Sequence, residues 1–358
     1  MEQNQNIRGL LAQLEHPAFL VEDRVITEVN PAAHKRMIFA GMDVEPMLVT
    51  GIREYSSFTE GRLLLSMRIA DTEYQATVIR NTDAEIFYLT EEQEPPEVLR
   101  ILSLSGQSLR KPLSEIFTLS DQILPGVENR EIAWQLNQRL YLLHRMVCNM
   151  TDAGQSLSLE HARRRIQNAA SLFGEIFEKI SQQLRQSQVT LQFTNLKVPL
   201  FCMLDVERLE RGVYNIIANA IKYAPKNGTI RASLQQKGNW LYLTVANPVL
   251  SSFTVPMSDL FTRYLREPGV EDSRFGIGLG MVMVQAAARA HNGTVLIEHP
   301  NKSEIKLTMT LQIIRSSNTT VHELPIHVDY AGEQDHCLLE LSDALPTECY
   351  EIHPQESE

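Results

Sequence analysis

Cysteine is scarce in this chain. The four residues present, Cys148, Cys202, Cys337 and Cys349, lie far apart among 358 and form no Cys-x-x-Cys pair. That argues against a disulfide framework or a zinc site and fits a reducing compartment. An excess of basic charge is also missing: 33 Lys and Arg stand against 44 Asp and Glu, for a net charge of −11. A nucleic-acid or anionic-membrane surface is therefore not the expected partner. No run of about 18 apolar residues occurs, and residues 1–17 show no basic head before an apolar signal core. The expectation is a cytoplasmic protein with no membrane span. Hydrophobic content of 43% suffices for proper cores, and 358 residues suggest two or three domains.

The most informative stretch is Asp205 to Pro225, DVERLERGVYNIIANAIKYAP. Val206, Leu209, Val213, Ile216, Ile217, Ala220 and Ile221 recur at helical spacing and point to a core. Asn215, Asn219 and Lys222 stack on another side of the same helix, with Tyr223 beside them. Two amide side chains can hold the water shell of a Mg²⁺ ion, and a Lys one turn on can meet a phosphate as a point charge. The bland alternative is an amphipathic core helix whose Asn residues cap or face water. Further on, Arg274-Phe275-Gly276-Ile277-Gly278-Leu279-Gly280-Met281 places glycine at alternate positions before a helical run. Backbone amides can turn inward there, and the helix that follows adds its positive end, which together make a phosphate cradle.

These two segments, some fifty residues apart with a strand pair between them, resemble the N-box (NLLxNAxKY) and the G2 box (GxGLGL) of the histidine-kinase branch of the GHKL ATP-binding superfamily. Ser258 to Phe261 fits the place of the F-box. The resemblance implies an α/β-sandwich domain over residues 157–315 that binds ATP with Mg²⁺. Its implied nucleotide contacts are Asn215, Asn219, Lys222, Tyr223, Asn247, Arg274, Gly276, Gly278, Leu279 and Gly280, with Asn219 reaching the metal. The family's adenine box, an Asp followed by spaced glycines, is replaced here by Ala246-Asn247-Pro248-Val249. Asn247 can still accept a hydrogen bond, but without charge assistance, which is worth roughly half of it.

Upstream, residues 7–90 read as strand, strand, helices and three strands, and resemble a degenerate PAS sensor domain. His34, Phe39, Tyr55 and Phe58 are its candidate pocket residues, with core packing as the simpler reading. The acidic, proline-bearing Glu91 to Glu97 is a linker. In residues 98–155, Leu102, Leu109, Ile116 and Ile123 fall seven apart, and Leu136, Leu140, Leu143, Val147 and Met150 step by fours and threes. This predicts a helical hairpin that buries its seam in a homodimer. Its first helix carries Gln107-Ser108-Leu109-Arg110-Lys111-Pro112-Leu113, which is similar to the family's H-box, HELRTPL. Gln107 stands at the phosphoacceptor His and Ser108 at the neighbouring acid. An amide nitrogen has its lone pair delocalised into the carbonyl and cannot attack phosphorus as a neutral imidazole can. His144 and His161 are the available substitutes. Leu157 to Gln186 reads as one long polar helix. Residues 316–358 form an extension without a role, in which Cys337 to Leu341 reads as a strand and the His and Cys spacing matches no metal pattern.

The implied fold is thus multidomain α+β. The implied function is two-component signalling by a degenerate sensor histidine kinase that docks a response regulator or a partner histidine kinase. The alternatives are an active ATP-dependent protein-histidine kinase that modifies a histidine elsewhere or on a partner, and a structural dimer that binds no nucleotide. The superfamily's ATP-hydrolysing clamps place a Glu four residues before the Mg²⁺ Asn, and Asn215 at that position is no base.

Overall fold

In the computed structural model the described residues are 11–12, 14–80, 85–91, 97–153, 163–249, 280–301, 303–315 and 334–351. Strands β1 (Ala18–Glu22) and β2 (Val25–Val29) are joined at Asp23 and Arg24, whose φ values of 49° and 68° give the primed turn a two-residue hairpin favours. Asn30 then caps α1 (Pro31–Lys35). Its Oδ1 accepts from the amides of Ala33, at 2.8 Å, and Ala18, while its Nδ2 donates to the carbonyls of Leu14 and His16. A single buried amide thus starts the helix and pins the preceding segment to the sheet. After α2 (Ile52–Ser57) come β3 (Gly61–Ile69), β4 (Thr72–Arg80) and β5 (Glu85–Glu91). Tyr55 and Phe58 are buried in the core of this sheet, whereas His34 is exposed and packs edge-on against Phe39.

Helices α3 (Glu97–Ile123) and α4 (Arg130–Ala153) run antiparallel: Ser103 Oγ donates to Thr151 O at 2.6 Å near one end, and the rings of Phe117 and Tyr141 meet at 5.5 Å near the other. Leu113, Phe117, Leu140, Tyr141, Val147 and Cys148 are buried within the chain. The heptad positions therefore divide. Leu109, Ile116 and Ile123 of α3, with Leu136 and Leu143 of α4, lie 44–62% exposed, while Leu140 and Val147 face inward.

Where the sequence reads as one long helix from Leu157 to Gln186, the chain instead forms β6 (Arg165–Asn168) and then α5 (Ala169–Gln183). Asn168 Oδ1 accepts from Ala170 N at 3.2 Å and so begins the helix at that point, while β6 pairs with β8 (Phe201–Leu204). Next come β7 (Thr190–Thr194), α6 (Val206–Tyr223), β9 (Thr229–Lys237), β10 (Trp240–Pro248), α7 (Gly280–Arg289), β11 (Val295–Asn301) and β12 (Glu304–Gln312). Helices α5, α6 and α7 share one apolar core with this sheet. The segment Cys337 to Leu341 is not a strand: α8 (His336–Glu340) forms there because Asp335 caps it, accepting from Leu338 N at 2.8 Å. None of the described helices is long and apolar enough to cross a membrane.

The N-terminal and C-terminal sheets are continuous. The order is β2-β1-β5-β4-β3-β11-β12-β10-β9-β7, closed in the middle by antiparallel pairing of Leu64 with Val295, Leu63 with Leu296 and Arg62 with Ile297. Leu64 joins the core of the C-terminal half and Leu296 that of the N-terminal half. Gly61 opens β3 with φ of 130°, and a Cβ there would lie 2.1 Å from the carbonyl oxygen of Ile297. Gly61→Val should therefore force the two strands apart and lower stability by about 2–3 kcal/mol. A denaturant midpoint equal to the wild type would refute this contact.

Candidate functional site

The site is organised on α6. Asp205 caps it, accepting from Arg208 N at 3.2 Å, and Asp205 N in turn donates to His291 Nε2 at 2.9 Å. His291 Nδ1 then donates to Ala287 O at 2.7 Å; because Nε2 accepts, the ring is neutral, and its burial lowers its pKa to about 4. The start of α6 is thus locked to the end of α7. At its middle, a Cβ on Gly280 would sit 2.9 Å from Asn215 Oδ1. Only glycine lets the first residue of α7 come so close, and this contact brings two of the expected site residues together.

Asn215 is 1% exposed and its amide is fully engaged. Oδ1 accepts from Arg145 Nη2 at 2.9 Å, while Nδ2 donates to Arg211 O at 2.9 Å and to Glu340 Oε2 at 3.3 Å. Lys222 Nζ lies 2.5 Å from Asp343 Oδ2. Asn219 is partly exposed, with Nδ2 3.8 Å from Met281 Sδ, and Tyr223 is partly exposed beside it. Asn247 is buried on β10, and its Nδ2 donates to Pro248 O at 3.2 Å. Arg274, Gly276, Gly278 and Leu279, like Ser258 to Phe261 and His161, lie outside the described residues. On α3, Gln107 and Ser108 are both exposed, and the Ser108 hydroxyl donates to Leu104 O at 3.0 Å. His144 is partly buried, with its ring 5.3 Å from that of Phe117.

Four residues that sequence reasoning leaves out complete the arrangement. Glu340 of α8 is fully buried; its Oε1 accepts from Arg211 Nε at 3.0 Å and its Oε2 from Arg145 Nε at 3.3 Å. Asp343 bridges Lys222 and Arg145, with Oδ1 2.6 Å from Arg145 Nη1. Two carboxylates from the C-terminal segment therefore meet three cations from α4 and α6. Arg211 was legible in principle, since it lies one turn before Asn215 on the same face. Arg145, Glu340 and Asp343 carry no comparable signal. Helix α4 also holds the segment through its backbone: Asn137 Nδ2 donates to Tyr350 O, and Gln138 Nε2 to Ser342 O and Leu345 O.

A nucleotide fits this wall only in part. Asn219 and Tyr223 are accessible, but the amide of Asn215 and the ammonium of Lys222 are already bound to protein groups. The donor set suits phosphate oxygens and a hydrated Mg²⁺, yet two of its members are covered.

Residues 204–315 match the family of histidine kinase-, DNA gyrase B-, and HSP90-like ATPases. Similar proteins include the probable sensor kinase SilS of Salmonella typhimurium, 22% identical over 203 residues, which are 54% of this chain and 40% of the relative. The adaptive-response sensory kinase SasA of Synechococcus sp. (strain JA-3-3Ab) is 22% identical over 209 residues, 56% of this chain and 55% of the relative. The chain thus spans about half the length of these curated relatives. Among solved structures, full-length ShkA in complex with AMPPNP superposes with a TM-score of 0.48 at 16% identity, covering 61% of this chain and 47% of that one.

Proposed function

With residues 204–315 matching the histidine kinase-, DNA gyrase B- and HSP90-like ATPases, we propose that the chain is a two-component signalling protein whose own phosphoacceptor site has degenerated. It acts as a dimer that docks a response regulator or a partner histidine kinase. The observation that carries this reading is Gln107. It is exposed on a helix that keeps the Leu109, Arg110, Pro112 and Leu113 frame, but it offers no attacking nitrogen. In this reading Asn215, Asn219, Lys222 and Tyr223 hold the phosphate end of a nucleotide, with Asn219 toward Mg²⁺, and the nucleotide would supply a phosphoryl group. Asn247 reads the base poorly, because an amide can present either its oxygen or its nitrogen. ATP and GTP should therefore be weakly discriminated. Incubation with radiolabelled ATP tests the proposal, and the expected result is a chain without acid-labile label. Active transfer to His144 is the less favoured reading, since that ring packs on Phe117.

The dimer is supported by exposed apolar residues at seven-residue spacing, Leu109, Ile116 and Ile123 on α3 and Leu136 and Leu143 on α4. Such side chains on two helices suit a second copy of the same surface. Leu109→Asp with Leu136→Asp should give monomers, because charge would enter the seam between copies. Leu140→Asp would instead strike the chain's own interior. Light scattering at micromolar concentration should report a dimeric mass for the wild type and half of it for the double variant; a monomeric wild type removes the idea.

A further inference from the structure

We infer that Arg145, Arg211, Asn215 and Lys222 form one anion pocket, occupied by the chain's own Glu340 and Asp343, which a nucleoside triphosphate enters only by displacing residues 334–351. The inference rests on the reading of α6 as a nucleotide-binding helix.

Occupancy is the first observation. Asn215 is 1% exposed and the Lys222 side chain 9%, and what covers them is carboxylate oxygen: Glu340 Oε2 on the amide of Asn215 and Asp343 Oδ2 on the ammonium of Lys222. Each oxygen stands where a phosphate oxygen or a metal-bound water would otherwise be received. The second observation is charge. Arg145, Arg211 and Lys222 face two carboxylates in a space where the Glu340 side chain is fully buried and the Asp343 side chain 11% exposed. Carboxylate and phosphate oxygens take the same charge-assisted N–H···O bonds from guanidinium and ammonium groups. A triphosphate is therefore the chemical class able to replace both acids at once. Departure of the segment with nothing in its place would leave three clustered cations to repel one another without a counter-charge. Exchange for a polyanion avoids that.

The segment is not loosely laid on the surface. Gln138 and Asn137 of α4 hold its backbone, Tyr350 OH donates to Leu338 O at 2.8 Å, and His336 Nδ1 lies 3.0 Å from Glu210 Oε2. Since Arg145 and both amides belong to α4, the same segment latches α4 to α6. Displacement would remove the carboxylate links between the two helices, leaving the direct Arg145–Asn215 and Arg211–Asn149 hydrogen bonds, and would open the pocket, so nucleotide binding and release of the latch are linked. The apparent affinity of the full chain is reduced by the fraction of molecules whose pocket is vacant.

Calorimetry on the full chain with Mg·ATP, and separately with inorganic tripolyphosphate, tests this in the wild type, Asp343→Asn and Glu340→Gln. Hydrogen exchange of residues 334–351 is followed with and without Mg·ATP. Asp343→Asn should bind both probes at least about tenfold more tightly than the wild type, and exchange in the segment should rise when Mg·ATP is added. Equal affinity in all three proteins, with unchanged exchange, would show that nucleotide binds beside a seated segment; the inference then falls and the nucleotide-site reading stands. No binding by any of them at millimolar nucleotide would remove both. The exchange measurement needs no variant, so it decides the matter if Asp343→Asn does not fold.

Discussion

Glu340→Ala is expected to lower folding stability by about 3–5 kcal/mol, the range found when one partner of a buried ion pair is removed. The side chain has no exposed surface and is bonded at once by Arg211, Arg145 and Asn215, so its removal leaves two guanidinium groups short of their shared carboxylate. Neither can turn to water without unpacking α4 from α6. Glu340→Gln keeps an acceptor oxygen and the volume and should lose about half as much, because the charge-assisted part of each bond goes while the neutral part stays. Urea denaturation distinguishes these cases through the midpoint at an unchanged slope. A loss below about 1 kcal/mol for the alanine variant would mean that the cluster is solvated, and the account of the pocket would fail with it.

Incubated with radiolabelled ATP and Mg²⁺, the wild-type chain should acquire no acid-labile phosphate. Phosphoryl transfer is mostly positioning and electrostatics, but it still requires an acceptor atom with an available lone pair in line. Gln107 provides none, and the Ser108 hydroxyl beside it, which donates to the carbonyl of Leu104, is no base. Gln107→His with Ser108→Glu restores acceptor and acid on a helix that already carries Arg110 and Pro112. Label should then appear only if the nucleotide site functions, and combining these changes with Asp343→Asn should increase it. Label on the wild type that disappears with His144→Ala or His161→Ala would overturn the reading of a degenerate kinase.

How much of this was legible beforehand varies from residue to residue. The stripe of α6, its Asp205 cap and the strands on either side follow from local rules, because periodicity and capping act over a few residues. The helix pair was equally open to reading, although spacing alone did not say that Leu140 turns inward while Leu136 turns outward. The join between the two sheets left one trace. Leu63, Leu64 and Leu65 are consecutive and all buried, whereas a strand with one wet face alternates. Glu340 and Asp343 left none. Their partners lie on helices more than a hundred residues away in sequence, and an acid near a C-terminus looks like any solvated one. The helix at His336 was missed for a local reason, since Asp335 is a sound cap before a run that resembles a strand.

The continuous sheet also bears on the order of synthesis. Strand β3 is made roughly 230 residues before β11, the neighbour that completes it. For most of translation its outer edge, from Gly61 to Leu64, offers unpaired amides and carbonyls flanked by leucine side chains, the kind of surface that recruits strands from other chains. The first sheet can close on β4 as soon as the chain reaches Arg80, but that edge stays open until the C-terminal half has been made. Nascent chains halted before Val295 should therefore be more prone to clump than full-length ones, and they should engage chaperones that bind apolar strands.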